Sequence, residues 1–371
     1  MRSVLSSCAI VLALTACADP TRPDEPTASP SNGSVTAADQ QFTVRSLGTL
    51  GGTFSGANAI NELGEVAGFA DLPSGEVRAI LWRPGEGMRS LGSLGGAVSR
   101  ARAINDRTEV VGFSQVRPGS DVTRAFLWSD GAGMRGLGTL GGRNSAANGI
   151  NNRREVVGTS DLASGHTRAF LWRRGSGMRS LGTLGGANSE ALDLNDATQV
   201  VGFSETAGGS VHAFLWTAGR GMEDLGTLGG PTSQAFGISQ TGAVVGISAT
   251  AQGSERAFLW TRDRGMRSLG VLNGHVSAVG TGVNTHQRVV GASFAEDEEL
   301  DLPFVWIPGS GIQRLPDLGG GRGRAEDLNE FGQIVGTTRN GQILPRATLW
   351  TPMPGPLVAQ LSTNEAGPAR Q

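Results

Sequence analysis

The chain has 371 residues, a net charge of −2, a pI near 6.1, no lysine and no tyrosine. Its length allows two ordinary domains or one long repeat array, and its charge leaves no electrostatic footprint for nucleic acid. With 58 glycines, 16 prolines and only 5% aromatics, the composition points to many tight turns rather than to disorder.

The first sixteen residues, MRSVLSSCAIVLALTA, are a short basic start at Arg2 and an apolar run from Cys8 to Ala16. That run is too short to cross a bilayer as a helix and reads as a secretory signal. It ends in Leu14-Thr15-Ala16-Cys17, which resembles the lipobox of bacterial lipoproteins. The resemblance implies cleavage before Cys17, a lipid on its thiol and attachment to the bacterial cell envelope. Ordinary cleavage near Ala16 is the alternative. Ala18 supplies no obvious inner-membrane retention signal, so the outer membrane or the cell surface is the expected address. The only other cysteine, Cys8, lies inside the signal, so no disulfide is expected in the exported chain. Residues 17–41 contain four prolines and little that is apolar, and read as the lipidated cysteine and a disordered tether.

From residue 42 the chain repeats itself. Trp82, Trp128, Trp172, Trp216, Trp260, Trp306 and Trp350 are spaced by 44 or 46 residues. LGTLGG stands at 47–52, 137–142, 181–186 and 225–230, and drifts to LGSLGG, LGVLNG and LPDLGG in the other copies. Each copy reads as four short strands. In the fourth, MRSLGTL (178–184) is the expected first strand, followed by SEALDLN, QVVGFS and VHAFLW, with Gly, Asn and Ser between them. Four strands in about 44 residues, seven times over, predict an all-β, seven-bladed β-propeller over residues 42–361, with an open β-solenoid as the rival. TPMPGPLVAQL, after Trp350, is a candidate closing strand, and residues 362–371 read as a disordered tail.

Two further positions recur. Asn61, Asn105, Asn151, Asn195, Asn284 and Asn329, with Ser239 as the one replacement, open four-residue turns in which the side chain can bond the backbone ahead. Lining a central channel is their alternative role. Gly68, Gly112, Gly158, Gly202, Gly246, Gly291 and Gly336 fall inside a strand, where glycine signals a close approach. The expectation is that the tryptophan ring lies across this glycine, burying about 200 Å² of indole for roughly 5 kcal/mol at most.

The strings VHAFLW, TRAFLW and ERAFLW, with the LGTLGG phrase and the Asn-x-x-Gly-x-Val-Val-Gly pattern, resemble the bacterial extracellular HAF repeat family across nearly all of 42–350. The resemblance implies export and a repeat architecture and carries no catalytic residues with it. The histidine of His212-Ala213-Phe214 is Arg78, Arg124, Arg168 or Arg256 elsewhere, so it is not an essential group.

Enzymatic signatures are missing: a P-loop needs a lysine, the four histidines lack zinc spacing, and no Gly-x-Ser-x-Gly elbow is present. Departures from the repeat are the better guide, because irregular loops on a regular scaffold carry binding. Blade 6 departs twice on one face. Its first turn becomes Asn273-Gly274-His275, and its third loop, ASFAEDEELDLP, gathers Glu296, Asp297, Glu298, Glu299 and Asp301. Blade 2 adds two residues in QVRPGSDV. This rim is the candidate site for a cation, with Ca²⁺ suited to an oxygen-rich loop, or for a basic partner; a solvated acidic loop is the alternative. The expectation is a monomeric, membrane-tethered binding or scaffold module for a protein or polysaccharide ligand. A propeller hydrolase or lyase acting on extracellular polysaccharide is the second reading.

Overall fold

The computed structural model describes residues 40–296 and 301–354. It is a seven-bladed β-propeller: seven four-stranded antiparallel sheets follow one another round an axis. Six blades are continuous in sequence, over 55–90, 99–136, 141–180, 185–224, 229–268 and 277–314. Blade 7 takes three strands from 319–352 and its outer strand from Phe42–Ser46, so the ring is closed by the N-terminal strand. Met353 extends this pairing, its amide donating to the Gln41 carbonyl at 2.8 Å. The place proposed for TPMPGPLVAQL is therefore held by residues 42–46; residues 355–361 lie outside those described, as do 1–39 and 362–371.

The blade frame differs by one strand from that expected. In blade 4 the strands are Gly185–Leu194, Val200–Thr206, Val211–Thr217 and Gly221–Asp224, from the axis outward. The segment Gly177–Ser180, expected to open this blade, pairs instead with Thr167–Arg173 as the outer strand of blade 3. LGTLGG is consequently the crossing between blades. Each of its letters has a use at 181–186. Leu181 is buried and its amide donates to Ala169 of blade 3, while Gly182 and Gly185 take φ of +86° and +106°. Thr183 Oγ1 accepts the Gly185 amide at 3.2 Å. Such φ values are costly for any residue with a Cβ.

Packing is between blades, not within them. Val157, Ala169, Leu171 and Leu181 from blade 3 and its crossing meet Ala191, Leu194, Val200, Phe214 and Trp216 of blade 4, and an equivalent cluster fills each of the seven junctions. Trp82, Trp128, Trp216, Trp260 and Trp350 are buried there, and Trp172 and Trp306 are half-buried. The outer face of several indoles is covered by an arginine from the preceding outer strand, such as Arg89 over Trp128 at 4.9 Å and Arg179 over Trp216 at 5.2 Å.

The strand glycine does not make room for tryptophan. Gly202 faces Ala191 on one side and Phe214 on the other, whereas Trp216 is registered with Val200. A Cβ on Gly202 would stand 1.9 Å from the Glu190 carbonyl oxygen and 3.0 Å from Ala191 Cα. The inner strand carries a β-bulge between Ala191 and Asp193, which drives its backbone against the second strand. The glycine accommodates backbone, and the expectation that an indole fills the gap is corrected.

Hydrogen bonds cross the junctions at fixed places. Ser189 Oγ donates to Gly182 O at 2.6 Å and accepts the Ala169 amide of blade 3 at 3.0 Å, and Ser55, Ser99, Ser145 and Ser233 do the same. Arg78, Arg124, Arg168, Arg256 and Arg346 each donate to a carbonyl of the segment entering the next blade. That is the role of the position where blade 4 has His212, whose Nδ1 meets Asp224 Oδ2 at 2.7 Å instead.

Candidate functional site

The turns divide between two faces. LGTLGG crossings and second-to-third-strand loops share one, where Leu184 bridges Thr206 and Leu228 bridges Thr250. Asparagine turns and third-to-outer-strand turns share the other.

On the asparagine face each asparagine has two jobs. Asn151 Oδ1 accepts the amides of Arg153 and Glu155, both at 3.0 Å, which closes its own turn. Its Nδ2 donates to Asn195 O of the next blade at 3.1 Å. The inter-blade bond recurs from Asn61, Asn105, Asn195, Asn284 and Asn329, the last reaching round to Asn61. A second circle lies beside it: the amides of Glu62, Asp106, Asn152, Asp196, Thr285 and Glu330 each donate to the side chain at the same position in the next blade. The turn reading of asparagine holds, and its inter-blade bond is a role the single turn could not reveal.

Four residues after each asparagine stands a wedge-filling side chain. Burial opposes ionisation of Glu65, yet Thr108, Asn61 and Arg83 all bond it, with Arg83 Nε 2.7 Å away, and hold its carboxyl below the usual range. Glu155 repeats this with Thr198, Asn151 and Arg173. The equivalent residues are Glu109, Gln199, Ala243, Arg288 and Gln333. Blade 5 thus has a methyl group where the others have a long polar side chain, and it also has Ser239 for asparagine. Ser239 Oγ stays in its own turn, bonded to Thr241 Oγ1 and the Ala243 amide. Among the described residues, neither circle of bonds joins blade 5 to blade 6.

A pocket of about 490 Å³ opens at this place. It is lined by Gln199 and Leu215 of blade 4, Thr241, Gly242, Ala243, Trp260, Thr261, Arg262 and Asp263 of blade 5, and Gln287 of blade 6. Arg262 is held by Glu223 Oε2 at 2.9 Å and lies over Trp260.

The channel wall carries carboxylates that sequence reading passed over. Asp193 of blade 4 and Asp327 of blade 7 are pushed up to about 7, each chiefly by burial, with Asp193 adding to the rise at Asp327. Both residues are half-buried. Asp193 accepts the Ile238 amide of blade 5 at 2.9 Å and the Leu194 amide at 2.8 Å; Asp327 accepts Ile60 of blade 1 at 3.0 Å and Leu328 at 2.8 Å. All four carboxylate oxygens therefore serve backbone amides at the bulge. Burial also raises Glu190 and Glu326.

On the opposite face, Asn273 and His275 lie in the crossing into blade 6, and Glu296 and Asp301 flank its second-to-third-strand loop, so four of the expected rim residues share a rim. Asn273 and Glu296 are exposed, and His275 and Asp301 are half-buried. Asp297, Glu298 and Glu299 lie outside the described residues, as does Cys17. Among the described residues no three His, Cys, Asp or Glu side chains are grouped to hold a metal ion. The longer loop of blade 2 places Asp121 against Arg143 of blade 3.

Residue columns would have disclosed what was missed: Ala243 stands out among Glu, Gln and Arg, and Asp193 and Asp327 among Ala and Gly. The chain defines itself by this geometry as a closed seven-bladed propeller. No family model matches it, and no curated relative does. Among solved structures it is similar to TolB from Acinetobacter baumannii, at 15% identity and a TM-score of 0.47 over 78% of this chain and 67% of that one. It is also similar to the BP39L lectin from Burkholderia pseudomallei, at 10% identity and 0.49 over 80% and 97% of the two chains. A gluconolactonase from Xanthomonas campestris gives 11% and 0.39 over 88% and 99%.

Proposed function

We propose that the chain is an exported binding module of the bacterial cell envelope, held to a membrane by a lipid on Cys17 and presenting one rigid propeller. In this reading its repeats belong with the extracellular HAF repeats they resemble, and it works as a monomer that engages a protein or polysaccharide. The observation that carries the binding role is the gathering of departures at blades 5 and 6. There Ser239 and Ala243 interrupt one face, and Asn273, His275 and Asp301 the other, on a ring otherwise tied at its junctions. The anchor rests on the Leu14-Thr15-Ala16-Cys17 pattern alone.

Expression of the full chain in a bacterial host tests the anchor. Membrane-bound wild type carrying the added mass of a lipid, and release by Cys17→Ser, are expected; equal release of both proteins overturns it. Retention of envelope polysaccharide by the purified chain, without new reducing ends, is the binding result. A second reading, hydrolysis or elimination on such a polymer, draws on the Asp193 and Asp327 pair, and new chain ends that vanish in Asp327→Asn would favour it. The engagement of both carboxylates by backbone amides supports the binding role. For the blade 6 rim, heat or a thermal shift on adding millimolar Ca²⁺ would make it a cation site, and neither would end that part of the proposal.

A further inference from the structure

We propose that the pocket over blade 5 on the asparagine face, bounded by blades 4 and 6, binds a neutral sugar unit. The proposal deepens the binding role above and rests on it. The pocket lies where the repeat departs from itself: Ala243, in its lining, leaves out a wedge-filling side chain, and the neighbouring Ser239 keeps its hydroxyl within its own turn. In blade 4 the same two positions form a pair, Asn195 Nδ2 donating to Gln199 Oε1 at 2.7 Å. The repeat thus supplies an internal picture of the filled state, and blade 5 of the open one. The volume of about 490 Å³ lies within the range of small-molecule sites, about 300–1,000 Å³.

The lining suits hydroxyl groups better than ions. Gln199 and Gln287 approach from the two neighbouring blades, each carrying a donor and an acceptor on one planar amide. The Gln287 amide makes no hydrogen bond to the described side chains, and the Gln199 Nε2 is not engaged by Asn195. Thr241 and Thr261 add hydroxyls, each able to donate and accept. Leu215 and the edge of Trp260, whose ring face Arg262 already covers, give the lining its small apolar part, against which C–H groups of a pyranose can rest. The charges are paired: the Arg262 guanidinium is bonded to Glu223 at 2.9 Å, and Asp263 faces Arg264 at 3.5 Å. Nothing there draws an ion of either sign in preference to a neutral polyol.

Ala243→Gln, alone or with Ser239→Asn, rebuilds in blade 5 the arrangement of blade 4, so it fills the pocket with a side chain the fold already accommodates. Gln287→Ala removes an amide without filling anything. Saturation-transfer NMR on the purified full chain, with a panel of methyl glycosides of the common hexoses and N-acetylhexosamines, reads the site. Transfer to at least one glycoside is expected, weakened about tenfold or more in Ala243→Gln and in Gln287→Ala. Silence of every glycoside, or wild-type transfer in either folded variant, overturns the proposal. Polysaccharide retention separates the two levels. Retention that persists in Ala243→Gln removes this site and leaves the binding module standing, whereas a wild type that retains no polymer and no glycoside removes both.

Discussion

Replacing Gly202 by alanine tests the account of the strand glycines. A Cβ there meets the Glu190 carbonyl oxygen at 1.9 Å and carbon at 2.9 Å. Restoring a close C–H···O contact of about 3.3 Å requires the inner strand to withdraw by roughly 1.4 Å. That strand is pinned by the Asp193 bond to blade 5 and by Ser189 to blade 3, so it cannot move freely. Overpacking of this kind costs about 1–3 kcal/mol, and a ladder bond lost at the bulge adds about 1 kcal/mol. A total near 3 kcal/mol lowers Tm by about 5 °C for a ring of this size, at about 2.1 cal/mol/K per residue. Calorimetry of Gly202→Ala against wild type measures it. Gly209→Ala is the control, since its Cβ meets nothing within 4 Å and only its φ of +85° is penalised, at about 1 kcal/mol. The cost should be unchanged in a Trp216→Phe background, because the obstruction is backbone. Relief of the penalty by Trp216→Phe would refute this account and return the gap to the indole.

Three other outcomes are expected. Ser239→Asn should donate to Asn284 O, complete the inner circle and stabilise the ring by about 1 kcal/mol, read as a rise in Tm of one to two degrees; no rise means the Ser239–Thr241 bond matters as much. Asp193 and Asp327 titrate near 7 when folded and near 3.8 when unfolded, so between those values the folded state holds more protons and stability falls as pH rises. Urea midpoints should decline from pH 5 to pH 8 by the equivalent of roughly 3 kcal/mol per group at most, and Asp193→Asn or Asp327→Asn should flatten that slope; a level wild-type profile would contradict the raised values. Deleting residues 42–46 should abolish cooperative unfolding in near-UV circular dichroism, because Phe42 and Val44 pack on the core that buries Trp350; a deletion variant that melts like wild type would show the ring needs no closing strand.

Repetition made the architecture legible. Each tryptophan marks one junction, so seven of them at nearly constant spacing count the blades before any coordinate is known. Asn195 announces its turn for the same reason: Asn195 Oδ1 bonds amides two and four residues ahead, within reach of a local pattern. Departures from the repeat were legible only where a loop changed length or charge, as in blade 6. Ala243 changes neither, and it drew no notice.

What the chain determines alone is therefore what local geometry and periodic burial can encode: four strands per copy, seven copies, turns at asparagine and glycine. Tertiary structure decided the rest. Whether Gly177–Ser180 belongs to blade 3 or blade 4 depends on which edge it meets after LGTLGG has crossed, and the N-terminal strand finds its edge only beside residues 348–352. The asparagine series, interrupted at Ser239, rejoins its start where Asn329 meets Asn61, 268 residues apart, and the raised carboxylates and the pocket over blade 5 exist only once the propeller ring has formed. Contacts between neighbouring blades carry these features, and a sequence read one copy at a time contains none of them.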